Sequence, residues 1–147
     1  MSERKKNKLI SDYSKLKNNE LSELIKNSVE GLWYMSETDA EIFLFVGKEV
    51  ESVTKENLLL QIGKPLDSPI EERNFAELFD RLTKIREWFG DSEKGVAEKF
   101  SVLRNLLETK LKDLKVFKVG HIQLDIYIVG IDAEGNLIGI QTRAVET

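Results

Sequence analysis

The chain has no cysteine, and of its 147 residues only one is histidine and two are proline. Without cysteine there is no disulfide framework, thiol nucleophile, redox pair or cysteine-based zinc site, which fits a reducing compartment. A lone His121 leaves no second imidazole at ligand spacing. Any metal chemistry would therefore rest on carboxylates. No apolar run approaches the roughly 18 residues of a spanning helix, which argues against an integral membrane protein. The start, Met-Ser-Glu-Arg-Lys-Lys-Asn-Lys, lacks the apolar core of a signal peptide, so a cytoplasmic protein is expected. P-loop, dinucleotide fingerprint, nucleophile elbow and His-Glu-x-x-His motifs are all missing.

What the chain does have is charge, unevenly distributed. The first twenty residues hold six basic and three acidic side chains, which leaves −7 for the remainder of a chain whose total is −4. An acidic body repels phosphate backbones and attracts basic partners, so direct nucleic-acid binding by the folded part is disfavoured. Residues 1–12, dense in charge and poor in apolar residues, read as a flexible basic arm, and residues 13–147 as a single domain.

Periodicity supplies the elements. Leu21, Leu24, Ile25 and Val29 recur at helical spacing, from a start near Asp12 or Ser14 to a stop at Gly31. Glu41 to Val46 reads as a strand with apolar residues on both faces, which demands cover on both sides of a sheet. A short helix, Thr54 to Ile62, closes at Gly63. Ser68-Pro69-Ile70-Glu71 has the form of a capping box, predicting a helix that turns Phe75, Leu78, Phe79 and Leu82 inward. That helix either runs to Gly90 or stops near Thr83 and leaves Lys84 to Asp91 as an exposed loop. Asp91 or Ser92 can cap the next helix, with a stripe of Val96, Phe100, Leu103, Leu107, Leu111 and Leu114. Two apolar strands, Lys115 to Gly130 and Leu137 to Val145, then form a C-terminal β-hairpin and end two residues later at Thr147. The expected fold is a three-layer α/β/α sandwich with a small mixed sheet, its last strand holding Thr147 close to a sheet edge.

Few residues announce chemistry. Asp125 lies within a strand, where a cross-strand partner is commoner than a catalytic role. Glu37, Asp39 and Glu41 cluster ahead of the first strand, without the alternating ligands and glycine of a calcium loop. An enzyme built on Asp125 with Glu37 or Asp39 would need these carboxylates to converge in one cleft. Trp88 either covers the edge of the core or, if the preceding helix stops early, stands in a polar loop beside Arg86 and Glu87 as an interface anchor.

Gly31-Leu-Trp-Tyr-Met-Ser-Glu-Thr, Val96-Ala-Glu-Lys-Phe-Ser-Val-Leu, Val119-Gly-His-Ile-Gln-Leu-Asp-Ile-Tyr-Ile-Val-Gly and Gly135-Asn-Leu-Ile-Gly-Ile-Gln-Thr-Arg-Ala-Val-Glu-Thr together resemble the nuclease A inhibitor family. The likeness runs from about Leu21 to Thr147. It implies an α/β/α fold, no enzymatic activity, no cofactor and no metal of the chain's own. The partner it implies is a sugar-nonspecific ββα-metal nuclease, met by a monomer. It further implies that Thr147 reaches the catalytic divalent ion of that nuclease, that Glu37 approaches the same ion, and that Glu87 and Trp88 add contacts. Arg86 stands where the family pattern has a neutral amide, and the loop of residues 47–68 differs. These departures motivate the alternative of an adaptor or regulatory module of the same fold.

Overall fold

The structure is a computed structural model that describes residues 20–147. The basic arm and the expected helix start near Asp12 or Ser14 lie outside the described residues. Helix α1 covers residues 20–29, and β1 (Trp33–Met35) and β2 (Asp39–Glu41) form a small hairpin. They are followed by β3 (Phe43–Glu49), α2 (Lys55–Ile62), β4 (Ile70–Arg73), α3 (Phe75–Thr83) and α4 (Asp91–Lys110). The chain closes with β5 (Lys112–Gly120), β6 (Gln123–Ile131) and β7 (Asn136–Val145).

Five strands make the main sheet in the order β3-β7-β6-β5-β4. Every neighbouring pair is antiparallel, so the sheet is not mixed in strand direction as expected. The reason is local: β5, β6 and β7 are joined by tight turns, which permit only antiparallel pairing. The connection through α2 crosses from β3 to β4 at the opposite edge; β4 runs in the same direction as β3, but three strands lie between them, so no two neighbours are parallel.

Alternation along the strands divides the core in two. On one face Val116, Leu124, Ile126, Ile128, Ile138 and Ile140 pack against α1, α3 and α4. On the other, Phe45, Phe117, Val119, Val129 and Leu137 pack against Val53, Leu58 and Leu59 on and beside α2. Helices on both faces give the three layers required by a strand apolar on both sides. The two faces are unequally covered: three helices protect one, whereas the other has only the eight-residue α2.

Four local readings change. The residues Lys115 to Gly130 form two strands, because Gly120, at φ 115, turns the chain where a side chain would be strained. A Cβ at this position would also lie only 2.5 Å from the Gln123 carbonyl oxygen. The Ser68 capping box is not a helix start. Ser68 Oγ donates instead to the Pro65 carbonyl at 2.6 Å, and Ile70–Arg73 pairs with β5 as the edge strand β4. Proline is tolerated at such a strand start because its missing N–H costs no ladder bond. The working N-cap of α3 is Asn74, whose side chain accepts from the Glu77 amide at 2.9 Å. Helix α4 is capped at Gly90, not at Asp91 or Ser92, with the Glu93 carboxylate accepting from the Gly90 amide at 3.0 Å. Its buried stripe uses Ala97 where Val96 was expected, and Val96 is exposed. Finally, β1 and β2 form a hairpin that periodicity did not reveal.

Tyr127, on the sparsely covered face, stacks edge-on against Phe45 with ring centroids 5.4 Å apart. Burial of the phenol, reinforced by nearby Asp125 and opposed by Arg143, raises its pKa above the ordinary value of 10.0. The native state thus holds this proton more tightly than the unfolded chain. Its contribution to stability is complete below about pH 10 and is lost as pH rises through the native pKa. In urea unfolding between about pH 9 and 11.5, Tyr127→Phe should show a shallower alkaline loss of stability than the parent. Equal slopes would refute this assignment.

Candidate functional site

The β1–β2 hairpin is held against the end of β7 by a set of bonds that bridge about a hundred residues of sequence. Tyr34 points its buried ring into the larger core, and its hydroxyl accepts from the Arg81 guanidinium at 3.3 Å. Thr142, buried in β7, donates its hydroxyl to the Glu41 carbonyl at 2.7 Å. At the hairpin turn, Ser36 Oγ accepts from the Val145 amide at 3.0 Å and donates to the Thr38 carbonyl at 2.8 Å. The Glu37 amide donates to the Val145 carbonyl at 3.3 Å. The terminal strand is thus closed on one side by a turn of the hairpin.

A second clamp acts one residue later. The Glu146 amide donates to the Ile122 carbonyl at 2.9 Å in the β5–β6 turn, and the Glu146 carboxylate pairs with Lys118 Nζ at 2.8 Å. Alternating restraints of this kind leave Thr147 little freedom. Its hydroxyl donates to Glu37 Oε1, and its amide points to the same oxygen at 3.4 Å. Glu37 and Thr147, 110 positions apart, therefore meet on the exposed surface as one cluster of a carboxylate and a hydroxyl. Two oxygens from different side chains, fixed side by side, match what a hard divalent cation accepts.

The other three partner-binding candidates lie on the segment that follows α3. Helix α3 ends at Thr83, so the shorter of the two expected helices forms, and residues 84–90 make a loop. Within it the Phe89 amide donates to the Arg86 carbonyl at 3.0 Å. Arg86 and Glu87 are exposed, and Trp88 is 72% exposed, its ring edge-on to Phe89 with centroids 4.7 Å apart. Trp88 does not cover the edge of the core. Among the described residues, no hydrogen bond or ion pair links this loop to Glu37 or Thr147.

Asp125 has the cross-strand partner expected of it: it stands opposite Arg143 and approaches the guanidinium to 3.5 Å. Asp39 and Asp125 line one surface groove, while Glu37 is engaged by Thr147. Among the described residues, no three His, Cys, Asp or Glu side chains are grouped as metal ligands. His121 is exposed in the β5–β6 turn.

Sequence reasoning missed Ser36, Thr142, Lys118 and Glu146 as positioning residues. Their signal is tertiary. Ser36 reads as an ordinary turn residue until the hairpin it closes is placed beside Val145.

Fold and site define an α+β protein that presents carboxylate and hydroxyl oxygens beside a pinned terminal strand. The chain belongs to the nuclease A inhibitor-like family, whose model matches residues 19–147. No match is found among curated proteins. Membership implies nuclease inhibition as the general function.

Ser36→Ala deletes the acceptor for the Val145 amide and should cost about 1 kcal/mol of stability. Amide exchange at Val145 should quicken in the variant, and Ser36→Thr should restore its protection. If exchange at Val145 is unchanged by Ser36→Ala, the hairpin turn does not hold the strand.

Proposed function

We propose that the protein inhibits a sugar-nonspecific ββα-metal nuclease by occluding its active site, without catalysis of its own. The observation that carries this reading is the Glu37–Thr147 pair, which offers two oxygens from a surface that a rigid sheet supports. A nuclease cleft is basic and holds a divalent ion, so a blocking surface must supply oxygen ligands and negative charge where phosphate would sit. Thr147 and Glu37 approach that ion, and the acidic body speeds encounter with the basic cleft. Glu87 and Trp88 form a second contact, with Trp88 as an aromatic anchor. One-to-one occlusion needs only a monomer, and the protein acts in the cytoplasm.

Arg86 favours a second reading. An exposed cation beside Trp88 opposes a basic cleft unless an acidic group of the partner meets it, which suits an adaptor that kept the fold and binds a different protein.

The test is inhibition of a panel of ββα-metal nucleases by the full chain and by a variant lacking Thr147. Loss of an anchoring residue at the centre of an interface costs at least about 2 kcal/mol, so the inhibition constant should rise about 30-fold or more. Equal inhibition by both proteins rejects the mechanism. Capture of a non-nuclease partner, with no nuclease inhibited, supports the adaptor.

A further inference from the structure

The face of the sheet that α2 only half covers carries an open groove of about 650 Å³. Its floor is the row Phe43, Gln141 and Tyr127, adjacent across β3, β7 and β6, followed by the Arg143–Asp125 pair two residues along. Its wall is the outer side of the β1–β2 hairpin, where Trp33 stands opposite Glu41 and Asp39 lies next to the turn. Phe43 is 54% and Trp33 45% exposed. Three carboxylates, from Asp39, Glu41 and Asp125, face one guanidinium, and among the described residues no ion pair engages Asp39 or Glu41. Arg143 is 85% exposed and already turned to Asp125.

Aromatic faces interleaved with unpaired carboxylates are the chemistry that receives a guanidinium or ammonium group, through cation–π attraction and charge-assisted hydrogen bonds. The position adds a second argument. Asp39 is two residues from Glu37 along the hairpin, and Arg143 is four residues from Thr147 along β7 and its extension, so the same two segments carry the groove and the Glu37–Thr147 cluster, although neither of those two residues lines the groove.

We infer that this groove receives a lysine- or arginine-bearing segment bordering the active site of the inhibited nuclease, an inference that rests on the inhibitory reading above. The Glu37–Thr147 cluster and the groove then divide the work. The cluster blocks the metal, while Asp39 and Glu41 steer and seat a basic flank of the cleft, and the aromatic floor takes the side-chain stem.

Association and dissociation rates of the full chain with an inhibited nuclease, measured across ionic strength, test this division. Asp39→Asn combined with Glu41→Gln should slow association about tenfold at low salt and flatten its salt dependence. Gln141→Glu, which adds a carboxylate to the groove floor, should quicken association. Should the double variant fail to fold, Gln141→Glu alone still decides: a rate equal to the parent's overturns the inference. If the parent inhibits while the folded double variant matches it in rate and salt dependence, the groove is not part of the interface, although the inhibitory reading stands. If no nuclease of the panel is inhibited by the parent, the inhibitory reading and the groove assignment fail together.

Discussion

The docking of the β1–β2 hairpin on the end of β7 is the constraint on which the rest of the site depends. Thr142 ties the strand to Glu41, Ser36 and the Glu37 backbone tie it at Val145, and Ile122 and Lys118 hold Glu146 from the other side. None of these bonds is strong alone; each contributes on the order of 1 kcal/mol. Together they convert the end of a strand, normally prone to fraying, into a fixed geometry. A binding group that is ordered before the encounter does not lose that freedom on binding, so more of its interaction appears as affinity.

The asymmetry of the sheet serves the same end. Three helices cover one face and give the hairpin a buried anchor in Tyr34. The opposite face, with only α2, leaves part of the strands open beside the hairpin. Carboxylates are therefore presented by backbone that the sheet ladder has already fixed. Among the described residues, Arg143 is the one cation lining the groove; it is drawn toward Asp125, and no ion pair engages Asp39 or Glu41.

The layers, the helix α4 and the β6–β7 hairpin were legible in the sequence because alternation and helical spacing report burial directly. The start of α3 was not. Ser68-Pro69 carries the chemistry of a helix cap, yet pairing of Ile70–Arg73 with β5 outweighed it, and Asn74 with Glu77 supplied the cap four residues beyond Ile70. Propensity yields in this way when a longer-range partner offers the backbone a full ladder. The break at Gly120 was hidden by apolar residues on both sides of it. The hairpin of Trp33 to Glu41 escaped notice because its turn, Ser36-Glu37-Thr38, lacks the glycine or asparagine of the commonest tight turns. Strand pattern marked Thr147 as the end of an ordered strand and Glu37 as one of three clustered acids, and family resemblance alone gave the two a role; no sequence pattern reveals that they touch. Arg86, Glu87 and Trp88 form the exposed loop that an early end to α3 demanded, with no hydrogen bond or ion pair to that pair among the described residues.

The central claim is that Glu37 and Thr147 act as one unit against a nuclease. A double-mutant cycle on inhibition free energy, with Glu37→Gln, Thr147→Val and the pair combined, measures that directly. Cooperation predicts a coupling energy of about 1–3 kcal/mol between the two positions. Additivity within about 0.5 kcal/mol would show that they contribute independently, and would contradict it.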